Sequence, residues 1–143
     1  MVIAVDFDGT IVENRYPKIG DELPFACETL KMLQKDQHHL ILWTVREGVA
    51  LEEAVEWCRK RGVVFYAINK DYPEESDTKS EYFSRKIKAD IFIDDRQVGG
   101  LPDWGQIYHM IRDNKTIKQL IREESRSQVD RRETTKKKHW WSK

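Results

Sequence analysis

The chain has 143 residues, long enough for one domain around a single core, and its 25 basic side chains match its 25 acidic ones. The balance conceals an asymmetry: residues 126–143 hold seven basic and two acidic side chains, so a body of net charge −5 precedes a segment of net charge +5. Two cysteines without metal spacing, an apolar start too short for a leader, and no run near the roughly 18 apolar residues of a membrane span argue against a disulfide scaffold or membrane protein; a cytoplasmic protein is the expectation.

Val2–Val5 is an apolar run of the kind that forms a strand buried on both faces, and it runs straight into Asp6-Phe7-Asp8-Gly9-Thr10. Leu23-Pro24-Phe25 opens a predicted helix whose Ala26, Leu30 and Leu33 share a face. Leu40–Trp43 is a second strand. A helix follows from about Gly48 to Arg61, with Leu51, Ala54, Val55 and Cys58 on one stripe and Gly62 at its C-terminal stop. Val63–Ile68 reads as a third strand, Lys79–Ile87 as a short helix, and Ile91-Phe92-Ile93 as a fourth strand ending in Asp94-Asp95. From about Asp103 a helical pattern through Ile107, Ile111, Ile117, Leu120 and Ile121 fades into the charged segment.

Strands alternating with helices imply βαβ units and a Rossmann-like parallel sheet with helices on both faces. Ligands of such sheets bind at the carboxyl ends of the strands. There the four strands deliver Asp6 and Asp8, Thr44 and Arg46, Asn69 and Lys70, and Asp94 and Asp95. Converging carboxylates need a counter-charge, and hard cations such as Mg²⁺ take carboxylate oxygens, water and substrate phosphate as ligands. Asp6 and Asp94 are the natural pair. A carboxylate can attack phosphorus and form an aspartyl-phosphate. Asp8 is placed to protonate the leaving alkoxide and then to deprotonate the hydrolytic water.

Asp6-Phe7-Asp8-Gly9-Thr10-Ile11-Val12 resembles the first motif of the haloacid dehalogenase superfamily, D-x-D-G-T followed by two apolar residues. Leu40–Thr44 resembles its second motif, and Ile91–Asp95 its fourth. The likeness covers roughly residues 2–100 and is greatest to small bacterial members that lack a cap. It implies Asp6 as nucleophile and metal ligand. Asp8 would be general acid and base, with its backbone carbonyl touching Mg²⁺, and Thr44 a donor to the phosphoryl group. Asp94 would be the acidic metal ligand and Asp95 a more distant or water-bridged one. The motif lysine would neutralise charge building on Asp6 and the phosphoryl oxygens. Lys79, Lys86 and Lys88 all precede the last strand. On a helix, Lys86 shares a face with Lys79, Tyr82 and Phe83, whereas Lys88 lies about 200° away at ~100° per residue, which favours Lys86.

An acid two residues past the nucleophile suits alkoxide rather than halide departure, and so a phosphatase rather than a dehalogenase. Only Glu13–Leu23 and Asn69–Thr78 occupy the places where caps are inserted in this superfamily, which predicts a capless, open site. Its substrate would be a phosphorylated small molecule or an exposed macromolecular phosphoester, and a partner subunit could cover it. Arg46 is expected either to fork onto a second anionic group of the substrate or to pair with Glu47 at the surface. The expected domain is residues 1–125, followed by a basic, flexible tail at 126–143. In that tail, Lys136-Lys137-Lys138-His139-Trp140-Trp141 mixes cations with aromatics, as single-stranded nucleic-acid binders do, although a plain solvated terminus reads the same way. The expected activity is Mg²⁺-dependent phosphomonoester hydrolysis. The competing classes are a non-catalytic phosphate-binding protein on the same fold and a phosphoacceptor receiver domain.

Overall fold

The computed structural model describes residues 1–76 and 84–140. Four strands, β1 (Val2–Val5), β2 (His39–Leu42), β3 (Ala67–Ile68) and β4 (Ile91–Ile93), form one parallel sheet in the order β3-β2-β1-β4. Ile3 of β1 stands opposite Leu40 of β2 on one side and Ile91 of β4 on the other. The helices are α1 (Ala26–Lys35), α2 (Gly48–Lys60), α3 (Trp104–Asp113) and α4 (Ile117–Trp140). Ile3, Ala4 and Val5, like Leu40, Ile41 and Leu42, are at most 1% exposed. Successive strand residues face opposite sides, so both faces of the two central strands are covered, as the uninterrupted apolar runs require. On one face Ala4, Ile41, Ala67 and Ile87 form a cluster, flanked by Val2, Trp43 and Ala89.

Three helices stop by the same device. Gln37, Gly62 and Asn114 adopt positive φ just past α1, α2 and α3. After α2, the N–H of Gly62 donates to the carbonyl of Arg59 and that of Val63 to Cys58. Equivalent bonds join Gln37 to Gln34 and His38 to Leu33, and Asn114 to Ile111 and Lys115 to Met110. Such paired bonds satisfy carbonyls left open at a helix end.

The structure departs from the sequence reading in four places. Leu23-Pro24-Phe25 does not open α1: Phe25 has φ 66°, the N–H of Ala26 donates to the carbonyl of Leu23, and the helix begins at Ala26. The third strand shrinks to Ala67–Ile68, because the N–H of Val63 is spent on the α2 stop and that of Val64 on Gln34 Oε1. Much of the helix expected over Lys79–Ile87 lies outside the described residues; from Ser84 to Asp90 the chain is irregular, so no helical face orders Lys86 and Lys88. Finally, the basic segment at 126–140 continues α4, a stretch from Ile117 that holds neither glycine nor proline.

The chain divides into two compact units, Met1–Gly105 and Gln106–Lys143. The first contains the sheet, α1 and α2; the second contains the remainder of α3 and α4. Among the described residues, no helix is long and apolar enough to cross a membrane.

Candidate active site

The chain lays down β1, β2 and β3 outward in one direction and then places β4 on the free side of β1. The order therefore reverses between β1 and β4, the position at which open parallel sheets form a crevice beyond their carboxyl ends. Asp6 follows β1 directly and Asp94-Asp95 follow β4, joined by a bond from the N–H of Asp6 to the carbonyl of Ile93 (3.0 Å). One carboxylate oxygen from each of Asp6, Asp94 and Asp95 lies within 4.8 Å of the others.

Asp6 and Asp95 are joined by a short relay. The N–H of Asp95 donates to Thr10 Oγ1 (3.0 Å), and the Thr10 hydroxyl donates to Asp6 Oδ2 (3.0 Å). A backbone N–H can only donate and an ionised carboxylate can only accept, so with Asp6 ionised the direction of both bonds is fixed. Thr10 is fully buried, and its carbonyl accepts the indole N–H of Trp104 (3.0 Å). Gly9 completes the turn at φ +89°, and a Cβ there would collide with the Asp95 carboxylate. Asp95 Oδ1 is buried and has no hydrogen-bond partner among the described residues. Burial pushes the Asp6 carboxyl up to about 6. The Phe7 N–H and the Thr10 hydroxyl act against that rise, and the charges of Asp94 and Asp95 add to it. Asp94 Oδ1 accepts the N–H of Arg96 (2.8 Å), which holds the turn after β4.

Asp8 is placed differently. Its carboxylate turns to Arg46, which donates from Nε to Oδ2 and from Nη2 to Oδ1, both at 2.7 Å. Arg46 is 1% exposed, and its guanidinium carbon lies over the rings of Phe7 and Tyr16, at 5.1 and 5.2 Å from their centroids. Both expectations for Arg46 are thereby corrected. It neither faces substrate nor pairs with Glu47, since every guanidinium donor is taken inside the protein.

Thr44 sits at the end of β2 as expected. Its Oγ1 accepts the N–H of Arg46 (3.1 Å), which leaves its hydroxyl proton to donate elsewhere. Its own N–H donates to Asn69 Oδ1 (2.9 Å). Asn69, at φ 53°, thus ties the loop after β3 to the loop after β2. Lys86 Nζ lies 5.6 Å from the Phe92 ring centroid. Lys88 is exposed, and its backbone N–H is bonded to Asp71. Neither geometry assigns the motif lysine. Sequence reasoning missed the roles of Thr10, Trp104 and Asn69; Thr10 stands inside the D-x-D-G-T run, and that was its only signal.

Three carboxylates that bring one oxygen each within 4.8 Å form a donor set that suits a hard divalent cation. No protein-family model matches the chain, and no curated protein matches it. A solved structure, that of a conserved protein from Bacteroides thetaiotaomicron, is 68% identical over 82% of this chain and 94% of the other, with a TM-score of 0.77. At that identity and coverage, this chain belongs to the same family as the conserved Bacteroides thetaiotaomicron protein.

Proposed function

We propose that the protein is a Mg²⁺-dependent phosphomonoester hydrolase of the haloacid dehalogenase type, acting through an aspartyl-phosphate on Asp6. The carrying observation is the meeting of Asp6, Asp94 and Asp95 at the switch point, with Asp95 Oδ1 left partnerless among the described residues. These three residues would hold the cation. Asp8 can add only its backbone carbonyl, because its carboxylate is committed to Arg46. A bound Mg²⁺ would supply charge neutralisation at the transferring phosphoryl group.

The chain's own residues account for the remaining steps. Thr10 holds Oδ2 of Asp6 by a hydrogen bond, which orients the carboxylate for in-line attack through its other oxygen. A new bond forms between Asp6 and phosphorus as the P–O ester bond breaks, and the departing oxygen takes a proton from solvent water, since Asp8 is paired with Arg46. Water then cleaves the acyl-phosphate and regenerates the Asp6 carboxylate. Thr44 retains a hydroxyl proton with which to bind a phosphoryl oxygen. The loops after β1 and β3 supply a flap but no domain-sized cover in the described residues, which suits an open site and a bulky or exposed phosphoester.

One observation favours a second reading, phosphate binding without turnover: both oxygens of Asp8, the expected proton donor, accept bonds from Arg46. Purified protein with p-nitrophenyl phosphate decides between them. Steady phosphate release that needs Mg²⁺ and disappears in Asp6→Asn supports hydrolysis. Mg²⁺-dependent phosphate binding with no release supports the second reading and overturns the first.

A further inference from the structure

A buried guanidinium is costly unless its donors are met. In Arg46, five N–H groups find five acceptors. Nε and Nη2 hold the two oxygens of Asp8; Nη2 also reaches the carbonyl of Lys18 (2.9 Å); Nη1 reaches the carbonyls of Pro17 (3.0 Å) and Ala50 (3.3 Å). These acceptors come from three separate segments: the turn after β1, the flap between Glu13 and Asp21, and the first turn of α2. Tyr16 of the flap also covers one face of the same guanidinium. The flap has further anchors at its base, where the N–H of Glu13 donates to the carbonyl of Asp21 (2.8 Å) and Arg15 pairs with Glu13 and Asp21. Those anchors close the flap on itself, whereas among the described residues Arg46 ties its tip to Asp8.

We propose that Arg46 is a positioning residue that locks the flap tip, Tyr16–Lys18, and the Asp8 carboxylate into one arrangement. The flap is then a standing wall of the site and not a swinging lid. Lifting it would strip two carbonyls and an aromatic ring from the guanidinium and leave one N–H of each Nη unmet inside the protein. Lysine cannot substitute, because its three donors radiate from a single nitrogen and cannot form the fork and reach the carbonyls together. As far as it concerns turnover, the proposal rests on the phosphatase reading; as far as it concerns the flap, it does not.

Hydrogen exchange of the amides of residues 13–21, measured on the full chain in chelator, tests the lock without any substrate. Arg46→Lys should raise exchange in this segment by about tenfold or more while the amides of β1 and β2 keep their protection. Arg46→Ala should do the same, and millimolar guanidinium should restore both flap protection and turnover of p-nitrophenyl phosphate. In the same variants kcat should fall with KM little changed, because Arg46 does not touch substrate. Flap exchange equal to wild type in folded Arg46→Lys overturns the proposal. If Arg46→Ala loses protection everywhere and so does not fold, Arg46→Lys and Asp8→Asn decide by the same readout. A wild-type protein that hydrolyses no phosphoester removes the phosphatase reading, and the exchange result still decides the lock.

Discussion

Asp6→Asn should stabilise the metal-free protein at neutral pH. The Asp6 carboxyl rises from 3.8 to about 6 on folding, mainly because burial disfavours its charge. The folded state therefore binds more protons than the unfolded state between these values, and stability falls as pH rises through that window. A rise of about two units corresponds to roughly 3 kcal/mol at 1.36 kcal/mol per unit. The side chain remains partly exposed, and solvent screening reduces this to about 1.5 kcal/mol. Asparagine keeps an oxygen to accept the Thr10 hydroxyl and carries no charge. Urea unfolding in chelator should show Asp6→Asn about 1.5 kcal/mol more stable than wild type at pH 7.5, with the difference falling to about half of that at pH 5. Mg²⁺ at tenfold its dissociation constant should then stabilise the wild type by about 1.4 kcal/mol and the variant far less. A variant less stable than wild type at pH 7.5, or an advantage independent of pH, would refute the reasoning.

Gly9→Ala forces a side chain into a left-handed backbone and against the Asp95 carboxylate, so it should cost about 2 kcal/mol or more in urea unfolding and abolish the Mg²⁺-induced rise in Tm. Unchanged stability together with an unchanged metal response would show that the Asp95 turn is not constrained as described. Cys27 and Cys58 are buried and their thiols are pushed up to about 12, chiefly by burial. Both should resist iodoacetamide at pH 8 until the protein is unfolded, and alkylation of the native protein at the rate of a free thiol would contradict their burial.

What could be read in the sequence followed from physics that acts along the chain. The uninterrupted apolar runs of β1, β2 and β4 marked strands, of which β1 and β2 are covered on both faces, and the residues after them marked the edge where Asp6, Asp94 and Asp95 meet. What escaped was set by contacts across the chain. Nothing local connects Arg46 with Asp8, or Asn69 with Thr44, because each pair meets only when separate loops converge. The third strand was overread because Val63 and Val64 look β-prone, while their N–H groups are claimed by α2 and Gln34. Gly62 announced its helix stop; Gln37 and Asn114 perform the same task without a glycine to signal it. The charged segment after 125 looked like a tail because it has no apolar stripe, yet its residues favour helix and none of them breaks one.

The shortest strands of the sheet, β3 with two residues and β4 with three, are its outermost. An outer strand is a template on which another chain can pair, and a long one invites aggregation. Here an incoming strand would find only a few backbone groups in register on either side. Beside β4 it would also meet Lys86, an exposed cation poised over Phe92, the half-open apolar residue at the middle of that edge. Beside β3 the N–H of Val64, exposed and β-prone, is already bound by Gln34. The sheet that brings Asp6, Asp94 and Asp95 together thus ends where self-association would have to begin, and its short edges are poor seeds for fibres at high protein concentration.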